Sequence, residues 1–382
     1  MTDSFVMLLT NALLACAAAG TLYLLATVVA VRHFARRNTP SGGDRPPVSV
    51  LKPLCGDEPA LYENLRSFCR QRYAACQLVF GVQNPRDPAI LVVERLRAEF
   101  PRIEIELVIS PERPAGGNGK VANLAGMLPT ARHAILVMAD ADIRVGPDYL
   151  AKLVAALQEP NVGLVTCLYR GRPAGGFWSR LAALHIDQGF LPQALLGDAV
   201  GIGDGCFGAT IAMHRATLEA AGGFSAIVGR LADDHALGEA VRALGKRVYL
   251  APFLVDHVVS ETNPGDLLVR ERRWALTIRS LAPTGFLGTF VTHPLAFAVL
   301  ANILSECRAS AAAMLICTVI CRFASAWATN ALLGTPSSSL WLLPLRDGLS
   351  FWVFVTSFLT RTVAWRGQRL RVTRRGLIHG GR

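Results

Sequence analysis

Long apolar segments lie at the two ends of the chain, and short apolar runs fill the region between them. The first long segment, residues 6–31, is almost uninterrupted and is followed by the basic stretch Arg32–Arg37. A helix of that length spans about 39 Å, which is enough to cross a bilayer with some tilt. We predict an uncleaved anchor over residues 1–37. Because basic residues favour the cytoplasmic side, we predict that the C-terminal end of this anchor faces the cytoplasm.

Short apolar runs in the central region predict β-strands at residues 48–51, 77–82, 104–109 and 134–139. Helical patterns fall between them, at residues 60–70 and 89–100. Alternating strands and helices are typical of a parallel sheet with helices on both faces. We therefore predict one α/β domain over residues 38–285, with a Pro- and Gly-rich linker at its start and ligands bound at the carboxyl ends of the strands.

Three further apolar segments lie near the C-terminus, at about 286–306, 309–334 and 340–360. If all three crossed the bilayer, the basic tail at 361–382 would lie outside, against the positive-inside rule. The third segment is interrupted by Pro344, Arg346 and Asp347, and charged side chains are costly at mid-membrane. We predict two crossings and one interfacial or re-entrant segment within 286–360, without assigning which is which, and a cytoplasmic tail over 361–382.

Composition agrees with a chain that is part soluble and part membrane-embedded. The 382 residues are 52% hydrophobic and 18% charged, with a net charge of +11 and a mean hydropathy of +0.35. Basic residues cluster beside the apolar segments and no nucleic-acid motif is present, so we expect anionic lipid headgroups as partners rather than nucleic acid. The nine cysteines show no CxxC pair and no zinc-like spacing, which favours a reducing compartment.

An acidic pair, Asp140 and Asp142, comes directly after the apolar run at 134–139. Side chains two residues apart on a strand point the same way, so both carboxylates can converge at its end. Such an oxygen pair suits a hard divalent cation, Mg²⁺ or Mn²⁺, which in turn holds a diphosphate. A solvated acidic turn explains the pattern equally well when it is read alone.

Two other motifs flank the acidic pair along the chain. A Gly-rich loop at 116–120 ends in Lys120 ahead of a helical pattern, which is typical of a phosphate site but also of an ordinary loop. Asp233 and Asp234 stand in a helical stretch, where one carboxylate could deprotonate an acceptor hydroxyl while the other is structural. Acids at a solvated helix start explain this second motif equally well.

Arg270 and Arg273 lie three residues apart, hence on one face of a predicted helix, and Trp274 follows them. Guanidinium groups suit a departing diphosphate, and the indole offers a flat apolar wall. A basic helix beside the membrane that binds lipid is the alternative explanation.

In their order along the chain these motifs resemble the ceramide glucosyltransferase family of inverting GT-A glycosyltransferases, over about residues 48–280. Residues 50–59 resemble the first strand and loop of that family, and residues 83–89 its first-aspartate motif, although Asn84 stands where relatives often have an acid. The resemblance implies a general base at Asp234 and a metal held by Asp140 and Asp142, the latter completing a DxD that some relatives lack. It also implies nucleotide-sugar contacts by Asp87, Lys120, Asp140, Arg270, Arg273 and Trp274, the last three matching the (Q/R)xxRW signature.

Within that family the chain looks most like the bacterial hopanoid-biosynthesis glycosyltransferases. This implies transfer from UDP-N-acetylglucosamine to bacteriohopanetetrol by a multi-pass protein of the bacterial inner membrane, with the catalytic domain in the cytoplasm. A ceramide glucosyltransferase that uses UDP-glucose, a processive polysaccharide synthase and a non-enzymatic lipid-binding membrane protein remain alternatives. The region 201–207, with Asp204, is either part of the acceptor side or a plain tight loop.

Overall fold

The computed structural model describes residues 2–56, 58–110, 117–202, 205–335, 339–360, 362–365, 368–372 and 378–380. The chain forms two compact units. The first, which we call the apolar-helix unit, comprises Met1–Arg36, Gly176–Gly203 and Glu261–Arg366. The second, which we call the sheet unit, comprises Arg37–Gly175, Asp204–Ser260 and Gly367–Arg382. Asp204 itself and Gly116 of the Gly-rich loop lie outside the described residues.

The sheet unit is built on an eight-stranded sheet with the order β3-β2-β1-β4-β7-β6-β8-β5. Its strands are β1 (Val48–Pro53), β2 (Cys76–Val82), β3 (Glu104–Ile109), β4 (Ile135–Ala139), β5 (Ile143–Arg144), β6 (Val162–Pro173), β7 (Thr210–His214) and β8 (Arg247–Val259). The first four are the predicted strands, and they pair in parallel. β7 runs antiparallel to β4 and β6, while β6 and β8 are parallel. The sheet is therefore mixed and mostly parallel.

The described helices follow in chain order. They are α1 (Thr2–Ala35), α2 (Leu61–Cys69), α3 (Ala89–Glu99), α4 (Gly119–Met127), α5 (Tyr149–Leu157), α6 (Gly176–His185), α7 (Leu191–Ala199), α8 (Arg215–Ala220), α9 (Asp233–Ala243), α10 (Pro264–Leu281), α11 (Pro283–Gly288), α12 (Pro294–Leu304), α13 (Ala309–Leu333) and α14 (Leu343–Ser357). Short strands follow at Thr362–Trp365, Gln368–Val372 and Ile378–Gly380. The predicted helices at 60–70 and 89–100 are confirmed as α2 and α3.

Both faces of the sheet are covered, which explains why its central strands are continuously apolar. Val50 and Val137 belong to one buried core, together with residues of α2, α3 and α5. Their neighbours Leu51 and Leu136 belong to a second core on the opposite face, with residues of α4 and α9. Successive side chains of a strand point to opposite faces, so β1 and β4 contribute to both cores. Two packed layers fix the carboxyl ends of these strands in place.

In the described part of the apolar-helix unit, two helical segments are long and apolar enough to cross a bilayer. These are Ser4–Ala35 and Ala309–Leu333, the latter matching the predicted segment 309–334. The pair Pro283–Thr292 and Pro294–Leu304 meets the same criterion together but is bent by 62°. α14 has 15 residues, about 22 Å of helix, which is less than the hydrocarbon thickness of about 30 Å. The number of crossings stays a prediction.

Charged residues that interrupt the third apolar segment are paired inside this unit. Asp347 of α14 accepts two hydrogen bonds, each 2.8 Å long, from the guanidinium of Arg322 on α13. Its neighbour Arg346 binds the carboxylate of Glu271 on α10. Charges with a hydrogen-bonded partner cost far less in apolar surroundings than isolated ones. α14 can therefore carry both charges and still pack among apolar helices.

Candidate active site

Predicted site residues of the sheet unit gather where its parallel strands end. Asp140 follows the last residue of β4, and Asp142 precedes β5. Lys120 is the second residue of α4, and Asp234 is the second residue of α9. Asp87 lies between β2 and α3. The fold thus places these residues at the edge where open α/β sheets bind their ligands.

Lys120 is the cation at the centre of this cluster. Its Nζ lies 2.7 Å from Oδ1 of Asp140 and 3.3 Å from Oδ2 of Asp233. Asn118 caps α4 by accepting a hydrogen bond from the Lys120 backbone N at 3.0 Å, and its side-chain amide donates to the carbonyl of Arg230 at 3.1 Å. Burial alone would lower the pKa of Lys120, but the carboxylates of Asp140 and Asp233 outweigh it and hold that pKa above its usual range.

The two members of the acidic pair differ in their surroundings. Oδ2 of Asp142 lies 3.0 Å from Nε2 of His257, while its Oδ1 is buried and has no hydrogen-bond partner among the described residues. Burial opposes ionisation of Asp142, but His257, Lys52 and Lys120 outweigh it and lower its pKa to about 2. Burial raises the pKa of Asp140 above its usual value, with Lys120 opposing the rise and Asp142 adding to it.

The acidic pair has the donor atoms that a divalent cation requires. The side chain of Asp140 is 36% exposed, and Asp142 keeps one buried oxygen without a partner. In the described ranges, no group of three or more His, Cys, Asp and Glu side chains forms a complete metal site by itself. Mg²⁺ is typically held by one or two carboxylates together with substrate phosphates, so this donor set fits a cation that arrives with a diphosphate.

Asp234 is held by backbone donors. Its Oδ2 accepts a hydrogen bond from the Gly208 backbone N and its Oδ1 one from the His235 backbone N, both 2.8 Å long. Burial, reinforced by the neighbouring Asp233, raises the pKa of Asp234 to about 6, although Lys120 and the two backbone donors oppose the rise. A carboxyl group with a pKa close to the working pH is suited to general-base catalysis.

Gly208 lies between Asp234 and Lys120 and brings them into one cluster. A Cβ atom added to this glycine would lie 3.1 Å from Oδ2 of Asp234 and 3.2 Å from Nζ of Lys120. Both distances are shorter than van der Waals separation. The close approach of the Asp234 and Lys120 side chains therefore depends on the absence of a Cβ atom at residue 208.

Asp87 holds two backbone segments together. Its two carboxylate oxygens each lie 3.0 Å from the backbone N of Gly56, and Oδ1 also accepts from the backbone N of Ala89 at 2.9 Å. These bonds tie the loop after β1 to the start of α3. The predicted contact of Asp87 with a nucleotide stays a prediction.

The arginine–tryptophan set belongs to the apolar-helix unit, where Arg270, Arg273 and Trp274 lie on α10 as one predicted helix. Arg270 forms an ion pair with Glu261, and its guanidinium carbon lies 5.0 Å from the centroid of the Trp274 ring. Trp274 also stacks on His185, with 6.0 Å between ring centroids and 24° between planes. The predicted roles of these three residues in binding the donor stay predictions.

His257 is a site residue that no motif indicates. It lies on β8, opposite Ile143 of β5 in an antiparallel pair. Its sequence signal is weak: two polar residues, Asp256 and His257, interrupt an otherwise apolar run. Only the pairing of distant strands brings the imidazole to Asp142.

A mixed, mostly parallel sheet with an acidic pair after its central strand defines the class of protein: this is the GT-A glycosyltransferase fold. The solved mannosyltransferase of Pyrobaculum calidifontis, in complex with GDP-mannose and Mn²⁺, aligns with a TM-score of 0.53 at 19% identity, over 92% of this chain and 98% of its own. The sequence model of glycosyl transferase family 21 matches residues 12–378. The chain belongs to that family.

Curated relatives agree with the family. Ceramide glucosyltransferase 1 of Caenorhabditis elegans is 27% identical over 201 residues, which are 52% of this chain and 43% of the relative. Ceramide glucosyltransferase 3 of the same organism is 24% identical over 230 residues, 60% of this chain and 50% of the relative. The chain spans about half the length of these curated relatives. The predicted resemblance to the ceramide glucosyltransferase family is confirmed.

Proposed function

We propose that this protein transfers a sugar from a UDP-sugar to a hydroxyl group of a membrane lipid, with inversion at the anomeric carbon. The observation that carries the proposal is the cluster of Lys120, Asp140, Asp142 and Asp234 at the strand ends of a GT-A sheet. Membership of family 21 and the names of the curated relatives support a glycosyl transfer to lipid. The apolar helices at both ends support action at a membrane.

On the donor side, Asp140 and Asp142 would hold Mg²⁺ or Mn²⁺. The mannosyltransferase structure of similar fold is a complex with GDP-mannose and Mn²⁺. Such an ion stabilises the negative charge that develops on the departing diphosphate. Lys120 neutralises part of the acidic cluster, so that a nucleotide anion can approach it. Arg270 and Arg273 are proposed to bind the diphosphate because they match the family signature.

On the acceptor side, Asp234 is the general base. It accepts the proton of the lipid hydroxyl while that oxygen attacks the anomeric carbon from the face opposite to UDP. The bond from the anomeric carbon to the UDP oxygen breaks as the glycosidic bond forms, and UDP leaves with the electron pair. The hydrogen bonds from Gly208 and His235 fix the orientation of the carboxylate before the lipid arrives.

For the substrates, we propose UDP-N-acetylglucosamine and bacteriohopanetetrol, which the sequence resemblance to the hopanoid-biosynthesis glycosyltransferases implies. Ceramide with UDP-glucose is the second candidate, because the curated relatives are named ceramide glucosyltransferases. We further propose a multi-pass protein of a bacterial inner membrane, with residues 38–285 in the cytoplasm. Mass spectrometry of lipids from a host supplied with either hopanoid or ceramide distinguishes the two acceptors.

The test of the reaction uses Asp234→Asn in isolated membranes with radiolabelled UDP-sugar and added lipid. General-base catalysis typically contributes about 10²–10⁴-fold, so we expect turnover to fall by that factor. Asp44→Asn is the matched control, because Asp44 is an exposed aspartate of the same unit, and it should retain the wild-type rate. Turnover of Asp234→Asn within a few-fold of wild type would show that the base is wrongly assigned. UDP release that needs neither divalent metal nor lipid would contradict the reaction itself.

A further inference from the structure

Lys52 is a buried lysine on β1 that the proposed reaction does not use. It has no solvent exposure. Its Nζ donates to the backbone carbonyl of Asp140 at 2.8 Å and to that of Ile143 at 3.4 Å. The ammonium also lies 3.7 Å from the centroid of the Phe68 ring. Lys52 therefore contacts both ends of the four-residue turn that carries the acidic pair.

That turn is held from several directions. The backbone N of Ile143 donates to the carbonyl of Asp140 at 3.2 Å, which closes the turn on itself. The carbonyl of Asp142 accepts from the backbone N of Val258 on β8 at 2.9 Å. Lys52 adds the side-chain contact from β1, the strand next to β4 in the sheet. With three of its carbonyl oxygens bonded, the turn presents its two carboxylates in a defined orientation.

Burying the side chain of Lys52 carries a free-energy cost. Removing an ammonium from water is unfavourable unless hydrogen bonds and opposite charges compensate. Here two carbonyl acceptors, an aromatic face and the nearby carboxylates of Asp142 and Asp140 offset only part of that cost, because burial outweighs them and lowers the pKa of Lys52 to about 7. A methionine would occupy a similar volume without a charge. A lysine at this position is explained by the two hydrogen bonds that it donates to the turn, which a methionine cannot make and which hold the turn when its carboxylates bind a cation.

We propose that Lys52 is a positioning residue, which fixes the Asp140–Ile143 turn so that the carboxylates of Asp140 and Asp142 bind one divalent cation. The inference rests on the proposed function, since it takes these two residues as the metal ligands. Lys52 touches neither the cation nor a substrate and acts through the backbone of the turn. Outer-shell partners of metal ligands typically change metal affinity by about 10- to 100-fold when they are removed.

The experiment is a Mn²⁺ titration of the purified full-length protein in the presence of UDP, with free Mn²⁺ followed by electron paramagnetic resonance. For Lys52→Met we expect a Kd for Mn²⁺ that is about 10- to 100-fold higher than that of wild type. The KM for Mn²⁺ should rise with it, while kcat at saturating Mn²⁺ changes less. Ser49→Ala is the matched control, because Ser49 is equally buried on β1 and bonds Gln77. It should keep the wild-type Kd.

Three outcomes separate the inference from the proposed function. If Asp140→Asn with Asp142→Asn binds Mn²⁺ as wild type does, the metal site itself is wrong. If that double variant loses Mn²⁺ while Lys52→Met keeps the wild-type Kd, the role of Lys52 is overturned and the metal site stands. If Lys52→Met does not fold, Lys52→Leu, which also lacks a donor, should give a Kd above wild type, and a wild-type Kd in the folded Leu variant overturns the role equally.

Discussion

Arg346 and Glu271 form a buried, bidentate ion pair in the apolar-helix unit, with Nη2 of Arg346 2.7 Å from Oε2 of Glu271. Each side chain is 1% exposed. Glu271 lies between Arg270 and Arg273 on α10, so the helix that carries the arginine–tryptophan set is joined to α14. Burial opposes ionisation of Glu271, but His185 and Arg346 outweigh it and keep its pKa below the usual range.

Breaking this pair should destabilise the protein, because one charge is then left buried without a partner. Removal of one partner of a buried pair typically costs about 3–5 kcal/mol, so we expect a lower thermal unfolding midpoint for Arg346→Met and for Glu271→Gln. The reversed pair, Glu271→Arg with Arg346→Glu, should recover part of the loss. Val269→Ala is the control, since Val269 is half exposed on the same helix. Single variants that unfold at the wild-type temperature would contradict a stabilising role.

The first half of the sheet could be predicted because its signals are local. β1 to β4 are short apolar runs separated by helices with clear periodicity, and each pairs in parallel with a neighbour of the same half. The acidic pair is predictable for the same reason, since Asp140 and Asp142 follow the end of β4 directly. Residues that directly follow a predicted strand in a repeated strand–helix pattern can be placed at the end of that strand from the sequence alone.

Distant pairings could not be predicted in this way. Asp142 contacts His257, which lies more than a hundred residues further along the chain, because β5 and β8 pair antiparallel. In that pair Ile143 lies opposite His257. Arg346 interrupts an apolar segment, and its partner Glu271 lies 75 residues away. Nothing in the local pattern of either residue indicates its partner. These two contacts depend on strand order and helix packing, which the hydrophobic pattern does not determine.

The raised pKa of Asp234, about 6, leads to a prediction of pH dependence. The base must be ionised to accept a proton, so the rate should fall as the pH drops through about 6 and stay level above it. The charged groups that face Asp234 are Asp233 and Lys120, with the backbone N–H groups of Gly208 and His235. Initial rates between pH 5 and pH 8 test this. A rate that stays level down to pH 5, as expected for a carboxyl group with an ordinary pKa of about 4, would contradict it.

Lys120→Met should shift the pH at which the rate falls. The ammonium of Lys120 opposes the rise in the pKa of Asp234, so its removal should shift the midpoint upwards by about one pH unit. It should also weaken UDP binding, because Asp140 and Asp233 lose their counter-charge. Arg102→Met removes one positive charge from an exposed position of the same unit and is the matched control. An unchanged or lower midpoint in Lys120→Met would show that Lys120 does not act on the base.

Gly208→Ala tests the close approach of the base and the central cation. The new Cβ would lie 3.1 Å from Oδ2 of Asp234 and 3.2 Å from Nζ of Lys120, so at least one of these groups must move by a few tenths of an ångström. Since displacement of about 1 Å can cost about 100-fold in rate, we expect kcat to fall by about 10-fold or more. The thermal unfolding midpoint should change little, because both neighbours are side-chain ends.

Gly229→Ala is the control for the same substitution, because a Cβ atom there meets no other atom within 4 Å. Both variants lose the flexibility of glycine, and only the first intrudes on the cluster. The measurements are kcat and KM for the UDP-sugar, together with thermal unfolding of both proteins. A wild-type kcat in Gly208→Ala would show that Asp234 and Lys120 tolerate a wider separation. An equal loss in both variants would trace the effect to the backbone rather than to the approach of the two side chains.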